Sequence, residues 1–405
     1  MAVMMKDNLY IRVGTSYFKK VKAPTISGDF NEILVPWNID TIKQDHGKSF
    51  VSRIPKYDGF TCIPSHTDFK QVYSGFYNRY SPLGNHPKEG TIDVTRLFVK
   101  HIFGNQFELG LDYLQLLYQK PVQILPILCL VSKERSTGKS TFLKWLKALF
   151  ENNLTYLTND SFGSQFNSDW TNKLLICIDE VLFNKEELTE RIKYLSTTNY
   201  NKLEAKGKDK IEVEFFGKFI LCSNNEDNFI KIDAAEERFW VRKIPRLKRE
   251  DTQLLQKLMG EIPAFQYFLN NRKLITKESS RMWFPPSRIW TPALQNLVKH
   301  NRSRVEKELA SILLMVMEKY DLDEIDFCPL DAMYAVNQAR VKTDLTQIRR
   351  ILKKEWRLTP KENSLSYEKF IIWGKGEISR ETTTGRFYRV KKDFLLENFD
   401  ETMKE

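Results

Sequence analysis

Residues 124–150 read ILPILCLVSKERSTGKSTFLKWLKALF, and the rest of the chain is interpreted outward from them. The apolar run 124–131 has the length and content of a buried strand. A polar turn, 132–137, breaks it, and Gly138, Lys139, Ser140 and Thr141 follow. Beyond them Phe142, Leu143, Trp145, Leu146, Leu149 and Phe150 recur at three- and four-residue spacing, with Lys144 and Lys147 left to the polar side, which predicts an amphipathic helix. Strand, loop and helix in this order aim the helix N-terminus at whatever the loop holds.

Backbone N–H groups at a helix N-terminus form an anion site, a glycine lets the backbone approach phosphate oxygens, and a lysine reaches the β- and γ-phosphates. Ser136, Thr137, Gly138, Lys139, Ser140 and Thr141 are therefore the candidate ATP-binding residues, with the Ser140 hydroxyl available to Mg²⁺. The usual pattern opens with glycine five residues before Gly138, where this chain has Lys133. A lysine fits there if the turn avoids positive φ or absorbs modest strain. The plainer reading is a lysine-rich loop capping an ordinary core helix.

With 405 residues the chain is long enough for two or three domains and a large core. Its net charge of +11 suits a polyanionic partner, nucleic acid before membrane. Cys129, Cys177 and Cys222 fall inside apolar runs and read as small buried thiols in a reducing compartment. Neither the cysteines nor the five histidines cluster as metal ligands. No apolar run approaches the length of a membrane span and no signal segment opens the chain, so a cytoplasmic protein is expected.

Residues 1–60 predict a small β-rich region, with no pair of acidic residues of the kind a two-metal nucleotidyl transferase needs. Residues 61–120 predict a linker followed by a helical collar. Residues 121–245 hold the core. A second apolar run, 173–183, reaches Asp179 and Glu180 about 40 residues past Lys139. An aspartate at such a strand tip holds Mg²⁺ through water, and the adjacent glutamate orients and deprotonates the attacking water. A third strand, 218–223, ends at Asn224, whose amide can bond the γ-phosphate and the lytic water; as a turn former it would need no such role.

Before that strand, residues 199–216 alternate and turn at Gly207, predicting a β-hairpin tipped by Lys206, Lys208 and Lys210. Such a tip is either a solvated turn or, in a ring ATPase, a holder of nucleic-acid phosphates. Arg238 and Arg242 follow; each is a candidate for stabilising charge at a neighbouring subunit's γ-phosphate, and a local ion pair with Glu236 or Glu237 is the alternative.

This ordered set resembles a superfamily 3 helicase. More closely, residues 55–300 resemble the helicase half of poxvirus-type and phage or plasmid primase-helicases, including Tyr77 to Tyr80, Leu111 to Leu116 and the stretch TGKSTFLKWLK. The resemblance implies an α/β fold with an AAA+-like P-loop NTPase core, a hexameric ring on DNA and ATP-driven movement along a single strand, in the cytoplasm of a bacterial host. It places Lys139 and Ser140 in Walker A, Asp179 and Glu180 in Walker B, Asn224 at sensor 1 and Arg238 as the arginine finger, with Arg242 as rival. The chain departs from that pattern in showing no separate primase domain, which leaves open whether a primase in another chain is a partner.

Residues 246–300 predict a helical lid. Residues 301–405 read as three helices and a β-ribbon, the order of a winged helix, or as a small α/β cap with a solvated basic face. In the first case Arg350 and Lys354 lie on a helix able to enter a major groove of duplex DNA. The chain is therefore expected to be a replicative DNA helicase. A non-catalytic DNA-binding replication regulator and a protein-remodelling ATPase are the alternatives.

Overall fold

The computed structural model describes residues 9–24, 30–183, 185–204, 206–207, 209–232, 236–372 and 378–399. The chain forms two compact units. The first takes the chain up to Val181, Glu190–Asn224 and Trp240–Ile289; the second takes Leu182–Thr189, Asn225–Phe239 and the chain from Trp290 onward.

The first unit is a mixed α/β structure built on a five-stranded sheet. Strands β1 (Ile127–Val131), β2 (Leu154–Leu157), β3 (Leu175–Ile178), β4 (Lys218–Ser223) and β5 (Phe239–Lys243) lie in the order β5-β1-β4-β3-β2. The pairings of β1 with β4, β4 with β3 and β3 with β2 are all parallel. Strands β1, β3 and β4 are buried at every residue, as the near-continuous apolar runs of a parallel sheet covered on both faces require. Their carboxyl ends open on one edge, where the Ser132 N–H donates to the Ser223 carbonyl at 3.2 Å. Ligands of open α/β sheets sit at such an edge, where the strand order reverses.

Helix α1 (Lys139–Phe150) buries Phe142, Leu143, Trp145, Leu146, Leu149 and Phe150, the face its periodicity predicts. Two helices, Asp93–Phe103 and Phe107–Gln119, approach each other closely at Gly110, where a Cβ would collide with the Phe103 ring. The fully buried Asp112 carboxylate pairs with Arg272 at the end of helix Ile262–Asn271, and it accepts the Thr276 N–H at 2.8 Å and hydroxyl at 2.6 Å. Arg272 reaches Glu108 and Gln115 as well, each at 2.9 Å.

Near the N-terminus, four strands carry two helices, Ile39–His46 and Lys48–Arg53, that the β-rich expectation does not contain. Asn38 caps the first by accepting the Asp40 N–H at 2.7 Å, and Tyr10, Ile42 and Ile54 close a small core. Residues 61–90 are loop-rich but pinned to the first unit. His66 donates Nδ1–H to the Tyr118 carbonyl at 2.8 Å and accepts the Tyr80 hydroxyl at Nε2, 2.6 Å away.

The second unit contains helix Arg304–Tyr320, opened by a Ser303/Glu306 capping box, strand Glu324–Phe327, helix Pro329–Gln338, and helix Leu345–Arg350 continuing as a π-helical turn, Ile351–Glu355. The ribbon pairs Leu365–Ile372 with Ile378–Gly385. Ile378–Gly385 is largely solvated and carries a run of threonines, so apolar periodicity gives it no signal. Tyr388–Lys391 buries Tyr388 and Val390 and pairs with Glu324–Phe327 instead. Among the described residues no helix is long and apolar enough to cross a membrane.

Candidate functional site

The loop between β1 and α1 is shaped by two left-handed residues. Ser136 has φ 55° and Gly138, the N-cap of α1, has φ 87°. Lys133 is not among the positive-φ residues, so its position in the motif makes no demand for glycine. Gly138 is constrained on both counts: beyond its φ, a Cβ there would stand 3.1 Å from Phe98 Cε2. Lys139 is buried and folds back over the loop, donating from Nζ to the Ser132 carbonyl at 3.2 Å and the Thr137 hydroxyl at 3.4 Å. Ser140 is exposed, while Thr141 is only partly so, one residue further into the helix.

The strand tips complete the arrangement. Ser140 Oγ donates to Asp179 Oδ2 at 3.1 Å, which brings together the loop hydroxyl and the carboxylate that lie 39 positions apart. Asp179 Oδ1 accepts the Glu180 N–H at 3.1 Å. Glu180 is exposed and held at φ 57°, a conformation sparsely populated by non-glycine residues and concentrated at functional sites. Asn224 is exposed at the end of β4, adjacent to β1 on one side and β3 on the other. Beneath them, burial pushes the Cys177 and Cys222 thiols well above their usual range, with Asp179 adding to the effect, so both remain inert thiols. A hydroxyl beside one carboxylate at a helix N-terminus suits Mg²⁺, which keeps most of its water and binds through few protein oxygens. Among the described residues no cluster of three His, Cys, Asp or Glu side chains forms a fuller cage.

Three contacts around the loop have no signal in the sequence. His101 donates Nε2–H to the Thr137 carbonyl at 2.9 Å, the Leu247 N–H donates to the Ser136 carbonyl at 3.0 Å, and Asn159 Nδ2 donates to the Glu180 carbonyl at 3.2 Å. Each partner comes from a separate segment, and neither a polar side chain on a helix nor a backbone N–H in a connecting stretch announces which carbonyl it meets.

The hairpin forms as alternation predicts, Tyr200–Leu203 against Ile211–Glu214, with Gly207 at φ 72° in the turn. Lys206 is exposed; Lys210 is paired with Glu204 at 2.7 Å; Lys208 lies outside the described residues. Glu212 and Glu214 add negative charge to the same hairpin. Arg238 donates to both oxygens of the buried Glu236 carboxylate at 2.8 and 3.0 Å. Arg242 donates to the side-chain oxygens of Gln106 at 2.7 Å and Asn105 at 3.3 Å, and burial lowers its pKa. In the second unit Arg350 and Lys354 are exposed together with Arg349 and Lys353, while Ile348, Ile351 and Leu352 face the core.

Comparison with known proteins adds a fold. A family of unknown function (DUF5906) matches residues 130–242, the stretch carrying the loop, both strand tips and the hairpin. The apo structure of the C-terminal region of NrS-1, residues 305–718, resembles nearly the whole chain. Its TM-score is 0.62 at 15% identity, over 93% of this chain and 96% of that one. Two A-form apo structures of the same region give 0.60 at 16% identity, covering 94% and 93% of this chain and 95% and 94% of theirs. The likeness is one of fold. No curated protein matches the sequence.

Proposed function

We propose that this chain is an ATP-dependent DNA helicase of phage replication, with an AAA+-like P-loop core of superfamily 3 type, acting in the bacterial cytoplasm as a hexameric ring on single-stranded DNA. The observation that carries the proposal is the 3.1 Å contact between Ser140 and Asp179 at the N-terminus of α1. A structural core helix has no need of a hydroxyl and a carboxylate meeting at the mouth of a left-handed loop. A nucleotide site does. The fold likeness to the C-terminal region of NrS-1 extends over nearly the whole chain.

In this reading the N–H groups of residues 136–141 and Lys139 bind the ATP phosphates, and Ser140 and Asp179 are the residues that would hold Mg²⁺, which would supply charge neutralisation there. Glu180 takes the proton of the attacking water, and Asn224 orients that water. The finger from the neighbouring subunit is Arg238, which would exchange Glu236 for phosphate; Arg242, hydrogen-bonded to the neutral amides of Gln106 and Asn105, is the rival. Lys206, Lys208 and Lys210 track the strand, and Arg350 and Lys354 of a winged-helix-like domain contact duplex DNA.

Steady-state ATP hydrolysis with and without single-stranded DNA tests this. Turnover stimulated by DNA and abolished in Glu180→Gln is expected; Glu180→Gln turning over at the wild-type rate ends the assignment. The carboxylates on the hairpin, Glu204, Glu212 and Glu214, favour a second reading, a remodelling ATPase whose turnover is indifferent to DNA.

A further inference from the structure

The chain leaves the first unit at two places that matter to the reaction. It passes into the second unit two residues after Glu180 and directly after Asn224. Both departing segments, Leu182–Thr189 and Asn225–Phe239, therefore belong to the same body as the C-terminal domain. Inside that body they are held firmly. The Phe183 N–H donates to the Phe229 carbonyl at 2.7 Å, and Phe183, Phe229, Ile230 and Ile232 are all buried.

The segment after Asn224 begins as a tight turn in which Asn225 Oδ1 accepts the N–H groups of Asp227 at 3.0 Å and Asn228 at 2.8 Å. Helix Pro292–Asn301 then grips it twice. Asn296 Nδ2 donates to Asp227 Oδ1 at 2.7 Å, and Asn301 Nδ2 donates to the Ile230 carbonyl at 2.8 Å. His300 Nδ1 stands 3.8 Å from the same Asp227 oxygen. An exposed loop needs no such anchoring. Two amides on one helix spend their donors on a single short segment, Asp227 and Ile230, that follows directly on the candidate γ-phosphate sensor.

We infer that Asn296 and Asn301 are positioning residues for ATP hydrolysis, setting through Asp227 and Ile230 the backbone path out of Asn224 and so the aim of its amide. The inference rests on the nucleotide reading of the site. Nucleotide affinity, carried by residues 136–141, is then separable from turnover.

The test uses the full chain and compares wild type, Asn296→Ala, Asn301→Ala, and the exchange Asn296→Asp with Asp227→Asn, which restores the hydrogen bond with donor and acceptor reversed. Each is measured for binding of a fluorescent ATP analogue and for kcat of ATP hydrolysis. Misplacing a catalytic group by a fraction of an ångström costs about tenfold or more in rate. The expected result is a kcat lowered about tenfold in each alanine variant, with analogue affinity within about twofold of wild type, and recovery of most of kcat in the exchange. Folded alanine variants with wild-type kcat overturn the inference alone. An exchange variant that stays folded but no better than Asn296→Ala overturns it too. Wild type with no turnover overturns the proposed function, and the inference with it.

Discussion

Ser140 Oγ and Asp179 Oδ2 stand 3.1 Å apart although one belongs to the first turn of a helix and the other to the end of a strand. The parallel pairings β1–β4 and β4–β3 bring those ends to one edge, so the contact is a property of the sheet rather than of either motif. Replacing Asp179 by Asn keeps the shape and removes the charge. Hydrolysis in Asp179→Asn should fall by about a hundredfold or more, about 3 kcal/mol of barrier, with the far-ultraviolet spectrum and melting temperature near wild type. Steady-state turnover at saturating ATP and Mg²⁺ checks it.

Gly138 should tolerate no side chain. An L-residue at its φ of 87° costs on the order of 1–2 kcal/mol, and the added Cβ meets Phe98. Gly138→Ala is expected to weaken nucleotide binding at least about tenfold. Adding Phe98→Leu should relieve the contact but not the backbone strain, so the double variant should recover only part of the affinity.

The Asp112–Arg272 pair fastens helix Phe107–Gln119 to the end of helix Ile262–Asn271. Removing one partner of a buried pair leaves an uncompensated charge, at about 3–5 kcal/mol. Asp112→Ala should therefore lower the midpoint of denaturant unfolding strongly, because Arg272, Thr276 and Ile275 all direct donors at that carboxylate. Asp112→Ala combined with Arg272→Met should be less destabilised than Asp112→Ala alone.

His66 is partly buried, and desolvation lowers its pKa to about 4, with the nearby Lys218 also lowering it and the bond to the Tyr118 carbonyl opposing. In the unfolded chain the imidazole takes up its proton near pH 6.5. Between those values the unfolded state binds more protons than the folded one, so stability is present above about pH 6.5 and declines as pH falls toward 4. The total amounts to at most about 3 kcal/mol. Equilibrium unfolding from pH 8 to 4.5 should show this slope, and His66→Gln should flatten it.

On the hairpin, Lys206 and Lys210 are not equivalent. Lys210 is already neutralised by Glu204, whereas Lys206 is exposed in the turn. A lysine on a single-stranded phosphate contributes about 0.7 to the slope of log affinity against log salt. Lys206→Ala should reduce that slope by about this much, Lys210→Ala by less, and Glu204→Gln should raise it. Fluorescence anisotropy on a labelled oligonucleotide at several salt concentrations distinguishes them.

Part of this structure is legible in the sequence. The apolar run 124–131, the turn and the periodic helix needed only local rules, because a strand covered on both faces and an amphipathic helix each write their burial into the residues that form them. The same holds for the hairpin at Gly207 and for the buried thiols of Cys129, Cys177 and Cys222. The two helices after Asn38 escaped, since six- and eight-residue helices give too few turns for a period to show. The ribbon strand Ile378–Gly385 escaped because a solvated edge needs no apolar pattern.

By itself, then, the sequence determined the strand, loop and helix at residues 124–150, the acidic tip at Asp179 and Glu180, and the amide at the end of β4, all consequences of local periodicity and turn chemistry. Only the tertiary structure decided that β4 lies between β1 and β3, that Ser140 meets Asp179, that Arg238 rests on Glu236, and that Asn296 and Asn301 hold the turn after Asn224. These depend on which distant segments the buried apolar surface brings together, and a polar side chain carries no local mark of the partner that such packing will set beside it.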